Sequence, residues 1–199
     1  MFILGLTGSI GMGKSATAKM FAEAGVPVHD ADAVVHRLYE GEATPAIEAA
    51  FPGTTANGKV DRDKLGQRVL GDAAAIARLE AIVHPLVAKA RDKFLSDAER
   101  SGAPVTVLDI PLLYETKGDA RCDAVVVVSA PADIQRQRTF ERPGMTEQKL
   151  ETILAKQMPD AEKRQRAEFV VDTSLGFDHA RDQVRDILRA VTTMPKRRR

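Results

Sequence analysis

Apolar residues gather along this chain in two ways. Five short runs are almost continuously apolar and read as strands: Phe2-Ile3-Leu4-Gly5-Leu6-Thr7, Val26-Pro27-Val28-His29, Val105-Thr106-Val107-Leu108, Ala124 to Ser129, and Phe169-Val170-Val171. Helical patterning lies between and after them. Lys14 to Ala24 sets Ala16, Met20, Phe21 and Ala24 on one face, and Asp178 to Thr193 sets Val184, Ile187, Leu188 and Val191 at core spacing. Strands alternating with helices predict a parallel sheet with helices on both faces. Two stretches depart from the alternation. From Ala33 to Ala103 no strand pattern stands out; Leu79, Ile82, Val83, Leu86, Val87 and Ala90 are spaced for helix faces, with a break at Pro85 because a residue before proline, here His84, is sterically driven to extended backbone. From Pro131 to Ala167 the chain is rich in charge, with Arg136, Arg138, Arg142, Lys149, Lys156, Lys163, Arg164 and Arg166, and is punctuated by Pro143, Gly144 and Pro159. The expected architecture is therefore an α/β core of residues 1–32, 104–130 and 168–199, a helical insertion over 33–103 and a helical lid over 131–167.

The turn after the first strand carries the chemistry. Gly8-Ser9-Ile10-Gly11-Met12-Gly13-Lys14-Ser15 fits G-x-x-x-x-G-K-[ST], the phosphate-binding P-loop, and it stands between a strand and a helix as that motif requires. The loop amides and the helix N-terminus cradle phosphate oxygens. Gly11, Met12, Gly13, Lys14, Ser15 and Ala16 are thus the expected ATP contacts, with Lys14 on the β- and γ-phosphates and the Ser15 hydroxyl on Mg²⁺. A P-loop core with two helical elaborations suits a small kinase, since transfer to an acceptor has to exclude water.

Composition narrows the setting. The 199 residues are 44% hydrophobic and 29% charged, enough for a sizeable core, and the formal net charge of +1 offers no electrostatic footprint for nucleic acid or an acidic membrane. The run Lys196-Arg197-Arg198-Arg199 reads as a solvated tail. Cys122 is the single cysteine, so no intramolecular disulfide forms, which fits a reducing cytoplasm. No secretory leader and no membrane-spanning run are found. The expected setting is cytoplasmic, with small-molecule partners, no nucleic acid, no membrane, and a monomer favoured.

Several charged residues are candidates for the transfer itself. Asp30 and Asp32 follow the second strand, where ligands bind in parallel sheets. A hydroxyl acceptor needs a base or an orienting carboxylate, though either residue also suits a helix N-cap. Asp109 ends an apolar strand in the Walker-B manner and is the second expected Mg²⁺ ligand with Ser15. Arg138 and Arg142, four apart, suit a phosphate clamp or a solvated charged face equally. His84-Pro85 reads alone as a structural joint.

Together these segments resemble the dephospho-CoA kinase family, which completes coenzyme A biosynthesis. Gly5 to Ser15 is similar to its P-loop and Gly25-Val26-Pro27-Val28-His29-Asp30-Ala31-Asp32 to its acidic second strand. Gly58-Lys59-Val60-Asp61-Arg62 with Leu65, and Leu79-Glu80 with His84-Pro85, resemble its helical substrate region. Asp109-Ile110-Pro111-Leu112-Leu113-Tyr114-Glu115 resembles its third-strand signature, and Arg138, Arg142 and Gln157 match lid positions. The resemblance implies a P-loop kinase of the nucleoside-kinase type, with a five-stranded parallel sheet, a helical substrate-binding insertion and a helical lid. It implies transfer of the ATP γ-phosphate to the 3′-hydroxyl of dephospho-CoA, giving CoA and ADP. In that reading Asp32, Lys14 and Arg142 are catalytic, Arg138 and Arg142 close over the phosphates, and Asp30, Asp32, Arg62, His84 and Leu113 contact the acceptor. The chain departs from the family at Glu168, where Asp is usual, and at Thr173, where an Asn is usual; loss of that amide bears on nucleotide selectivity.

Two rivals compete. Another small-molecule P-loop kinase, such as a shikimate kinase, would carry Gly-Gly-Gly after its third strand, where this chain has Pro111-Leu112-Leu113-Tyr114-Glu115. A GTPase switch would carry Asn-Lys-x-Asp, which does not occur.

Overall fold

A computed structural model of the chain describes residues 1–197. The main sheet has strands β1 (Phe2–Thr7), β2 (Val28–Asp30), β5 (Val105–Asp109), β6 (Ala124–Ser129) and β7 (Phe169–Asp172), in the order β2-β5-β1-β6-β7. All five run parallel; β1 sits at the centre, with Leu4 opposite Val107 of β5 and Ala124 of β6. Every residue of β1, β5 and β6 is buried, so these strands read as unbroken apolar runs rather than alternating ones. Helices α1 (Lys14–Glu23) and α9 (Phe177–Val191) cover the sheet, packing Met20, Phe21, Val184, Ile187 and Val191 onto Leu4, Leu6, Val126 and Val128.

The chain divides into two compact units, residues 1–29 with everything from Ala98 onward, and residues 30–97. The first unit contains the charged stretch after β6, which forms α6 (Ala132–Phe140), α7 (Glu147–Leu154) and α8 (Asp160–Arg166). The second has its own core. Val34 and Leu38 of α2 (Ala31–Tyr39), Ile47 of α3 (Thr44–Ala50), Leu65 and Val69 of α4 (Arg62–Val69), and Ala75 and Val83 of α5 (Ala73–Arg100) form one cluster. Asp30, Asp61 and Asp72 hold the starts of α2, α4 and α5, each accepting from backbone amides two or three residues on.

Three sequence expectations need correction. The region 33–103 does contain strands: β3 (Thr55–Ala56) and β4 (Lys59–Val60) form a small antiparallel hairpin. Its turn is Asn57-Gly58, with φ of 53° and 75°, the dipeptide that suits the paired left-handed positions of a tight hairpin. The helix is not broken at Pro85; α5 runs through it for 28 residues. An internal proline costs about 3 kcal/mol through a lost hydrogen bond and a clash. Leu79, Ile82 and Val83 before it and Leu86, Val87 and Ala90 after it all pack on the same cluster, and that continuous stripe outweighs the defect. The C-terminal tail is not wholly solvated either. Arg197 donates from its backbone to Asp123 and from its guanidinium to Glu168 at 2.5 Å, while Arg198 and Arg199 lie outside the described residues.

Candidate active site

The loop between β1 and α1 is set by glycine. Gly13 precedes the helix at φ 91°, a left-handed conformation that a side chain would strain, and no side chain caps the helix there. The first intrahelical bond is Thr17 N–H to Gly13 O. The amides of Gly13, Lys14, Ser15 and Ala16 thus stand ahead of the hydrogen-bond ladder, with no acceptor among the described residues, which makes an anion site. Lys14 Nζ lies 2.6 Å from Asp109 Oδ1, and that carboxylate side chain is only 3% exposed. The Lys14 ammonium compensates the charge of this buried carboxylate. Ser15 is exposed at the head of α1.

The charged helices grip this loop closely. Gln135 Nε2 of α6 donates to Ile10 O at 2.8 Å, and the Ile10 N–H donates to Gln157 Oε1 at 3.3 Å. Gly11 passes so near α6 that a Cβ would come within 2.7 Å of the Gln135 carbonyl, and closer still to the Thr139 hydroxyl. The Met12 thioether accepts from Ala130 N–H at 3.1 Å and is 2% exposed, so Met12 serves the loop through its backbone while its side chain belongs to the core.

Thr173, just past β7, closes the other side. Its hydroxyl donates to Met12 O at 2.8 Å, and it receives the Arg138 guanidinium twice, on Oγ1 and on the carbonyl oxygen, both at 2.8 Å. A cleft of about 250 Å³ opens beside the loop, walled by Gly11, Gly13, Ala16, Met20, Phe177 and Ala180, with Arg138 and Arg142 at its rim. Arg138 is pinned there. Arg142 is exposed and has no side-chain partner among the described residues.

A family model of dephospho-CoA kinase matches residues 2–178. The chain belongs to the dephospho-CoA kinase family. It is 67% identical over 198 residues to the dephospho-CoA kinase of Rhodopseudomonas palustris, and equally so to that of Bradyrhizobium diazoefficiens, each match covering all of both chains. A solved protein from Thermus thermophilus shares 32% identity and superposes with a TM-score of 0.84 over 97% of this chain and 98% of that one.

Set against this dephospho-CoA kinase sequence, the expected site residues fall into three groups. Gly11, Met12, Gly13, Lys14, Ser15, Ala16, Asp109, Arg138 and Arg142 lie together in the first unit, around the loop and its cleft. Asp30, Asp32, Arg62 and His84 lie in the second. Asp30 caps α2, accepting from Ala33 N–H at 2.9 Å, whereas Asp32 is exposed and has no side-chain partner among the described residues. Arg62 reaches the His36 ring at 3.0 Å, and His84 stands exposed on α5. Leu113 is the exception. Expected at the acceptor, it is 0% exposed and fills the space left by two glycines; a Cβ on Gly5 would meet its Cδ2 at 2.7 Å and one on Gly118 its Cδ1 at 2.9 Å. Its side chain is core. Sequence reasoning did not find Gln135, Thr139 or Thr173 as loop-holding residues. The only written sign was Thr173 itself, standing where the family has an amide.

Proposed function

We propose that this chain transfers the γ-phosphoryl group of ATP to the 3′-hydroxyl of the ribose in dephospho-CoA, yielding CoA and ADP. The observation that carries the reading is a phosphate loop with uncommitted amides in a chain matched almost end to end by the dephospho-CoA kinase model. In this reading the triphosphate lies along the loop from Gly11 to Ala16, on the open amides of Gly13 to Ala16, and Lys14 turns from Asp109 towards the β- and γ-oxygens. Arg142, with no side-chain partner among the described residues, is the group available to meet charge building on the transferring group. Arg138, pinned by Thr173, gives the cleft a flat cationic wall, and with Ala16, Met20 and Phe177 it suits the face of a nucleobase.

Mg²⁺ fits the donor set. The Ser15 hydroxyl and the Asp109 carboxylate are hard oxygen donors, and no cluster of three or more His, Cys, Asp or Glu that would cage a metal occurs among the described residues. That suits an ion that keeps much of its water and takes phosphate oxygens as ligands. When bound, it neutralises charge on the β- and γ-phosphates. On the acceptor side, Asp32 is assigned the base because Asp30 is already committed to its helix cap. Arg62 and His84 are assigned to hold the acceptor. The reading places the enzyme in the cytoplasm, acting as a monomer on small molecules; no described helix is long and apolar enough to cross a membrane.

The test is ADP release from ATP and Mg²⁺ with dephospho-CoA, shikimate or nucleosides as acceptors. ADP formed only with dephospho-CoA, with CoA as product, is the expected result. ADP formed with a different acceptor, or without any, would overturn the substrate assignment.

A further inference from the structure

A second polar cluster lies away from the phosphate loop, where α8 meets the end of the sheet. Lys163 is 0% exposed and its Nζ lies 2.9 Å from Glu115 Oε1; the Glu115 side chain is 16% exposed. The same Oε1 accepts from the Met158 N–H at 2.7 Å. Asp160, one turn before Lys163, accepts from the Ser129 hydroxyl at 2.7 Å. Of four buried side-chain atoms left without hydrogen bonds among the described residues, three belong to this cluster, Glu115 Oε2, Asp160 Oδ1 and Lys163 Nζ, and the fourth is the hydroxyl of the neighbouring Tyr114. Burial works to raise the Glu115 carboxyl, but the Met158 amide, the backbone amide of Glu115 itself and the Lys163 ammonium together outweigh it and hold it below the usual carboxylate range.

Fastening a short helix to a core does not require this. Well-packed apolar side chains would do so at least as stably as a buried ion pair with unsatisfied atoms. What the pair provides instead is direction. Met158, which Glu115 fixes, directly follows Gln157, and Gln157 Oε1 holds the Ile10 N–H of the phosphate loop. With Gln135 on the Ile10 carbonyl, Ile10 is held through both of its backbone polar groups, and beyond the Met12 amide, which turns back to Ser9 O, the amides of Gly13 to Ala16 have no acceptor among the described residues. Glu115 thus reaches the loop through three links: Met158, Gln157 and Ile10.

We propose that Glu115 is a positioning residue for ATP: with Lys163 compensating its charge, it fixes the turn between α7 and α8 so that Gln157 sets the Ile10 N–H of the phosphate loop. The inference rests on the reading of that loop as the ATP site.

The test compares three variants with the wild type, measuring ATP affinity by calorimetry without acceptor, then kcat, both KM values and Tm. Gln157→Leu removes the last link. The double variant Glu115→Leu/Lys163→Met replaces the pair with apolar groups. Glu115→Gln/Lys163→Met removes both charges but keeps an amide oxygen for the Met158 N–H. The first two are expected to weaken ATP binding about tenfold, with the KM for dephospho-CoA within about twofold. The third is expected to stay within about threefold of the wild type for ATP. Equal ATP affinity in all four proteins would overturn the proposal. So would equal losses in the two double variants that merely follow Tm, which would make the pair a structural anchor. If Glu115→Leu/Lys163→Met fails to fold, Gln157→Leu still decides, because a wild-type affinity there breaks the chain of contacts. A wild type that binds no ATP would instead sink the ATP-site reading, and this inference with it.

Discussion

Around the phosphate loop most polar side chains are tied down, Arg142 excepted, whereas in the unit of residues 30–97 Asp32 and His84 engage no side-chain partner among the described residues and Arg62 meets the His36 ring. Gln135, Gln157, Arg138 and Thr173 each hold a named atom of the loop or of one another, and Lys14 is paired with Asp109. Asp32 and His84 are both exposed. Under the proposed function the contrast matches what each half would recognise. A triphosphate needs many donors at fixed spacing, so preorganising them removes an ordering cost at binding. An acceptor hydroxyl needs one carboxylate that can approach it, and a carboxylate locked into a hydrogen bond could not take its proton. Rigidity on one side and free groups on the other should therefore appear as separable effects on the two substrates.

The largest expected effect is at the tied side. Lys14→Ala should lower kcat by about 10³-fold or more, because a cation is lost from the transferring phosphates. Asp109 then keeps a buried carboxylate without Lys14, so Tm should fall as well. Near wild-type turnover in a folded Lys14→Ala protein would remove the loop from the reaction. On the acceptor side, Asp32→Asn should lower kcat by about 10²-fold or more, with ATP affinity unchanged and Tm nearly so, since the residue is exposed and engages no side-chain partner among the described residues. Loss of ATP affinity instead would move Asp32 to the nucleotide side and break the comparison.

How much of this was written in the sequence depends on the distance over which each feature acts. The phosphate loop and the parallel α/β core were legible because spacing within a few residues determines them. The Asn57-Gly58 hairpin was equally local, but strands of two residues each leave no alternating pattern to notice. Pro85 misled because its steric rule is local, while the stripe from Leu79 to Ala90 that overrides it is a property of the packed helix. Leu113 misled for a related reason: whether an apolar residue after a strand meets a ligand or the core depends on Gly5, far away in sequence. Thr173 was visible as a departure from the family, and the expected consequence concerned the nucleobase. Its hydroxyl is already committed to Arg138 and to the carbonyl of Met12, a residue 161 positions away, which no local pattern reports.

A smaller effect tests how tightly α6 holds the loop. Gly11→Ala has to adopt φ 78° and place its Cβ within 2.7 Å of the Gln135 carbonyl, a backbone atom that moves only with α6. A loss of about 2–3 kcal/mol in unfolding free energy is expected, with weaker ATP binding. The matching substitution in the other unit, Ile47→Ala, removes a fully buried side chain and should also cost about 2–5 kcal/mol, yet leave ATP affinity intact. Calorimetric titration of ATP at a temperature where both variants are folded separates the two. Equal affinities would mean that the close approach of α6 has no bearing on the phosphate site.

The smallest effect divides the two neighbouring aspartates. Asp30 accepts from Ala33 N–H at the head of α2, and removing such a cap costs about 1 kcal/mol. Asp30→Ala should therefore lower stability by about that amount, and Asp30→Asn, which can still accept the bond, should lower it hardly at all. Asp32→Asn should do the reverse, leaving the denaturation midpoint unchanged while kcat falls. The four numbers, two midpoints and two rates, form a crossed pattern that neither a purely structural nor a purely catalytic Asp-Ala-Asp segment would give. If Asp30→Asn cost as much activity as Asp32→Asn, both carboxylates would act on the acceptor, and the hydrogen bond to Ala33 would be one that Asp30 gives up when the substrate arrives.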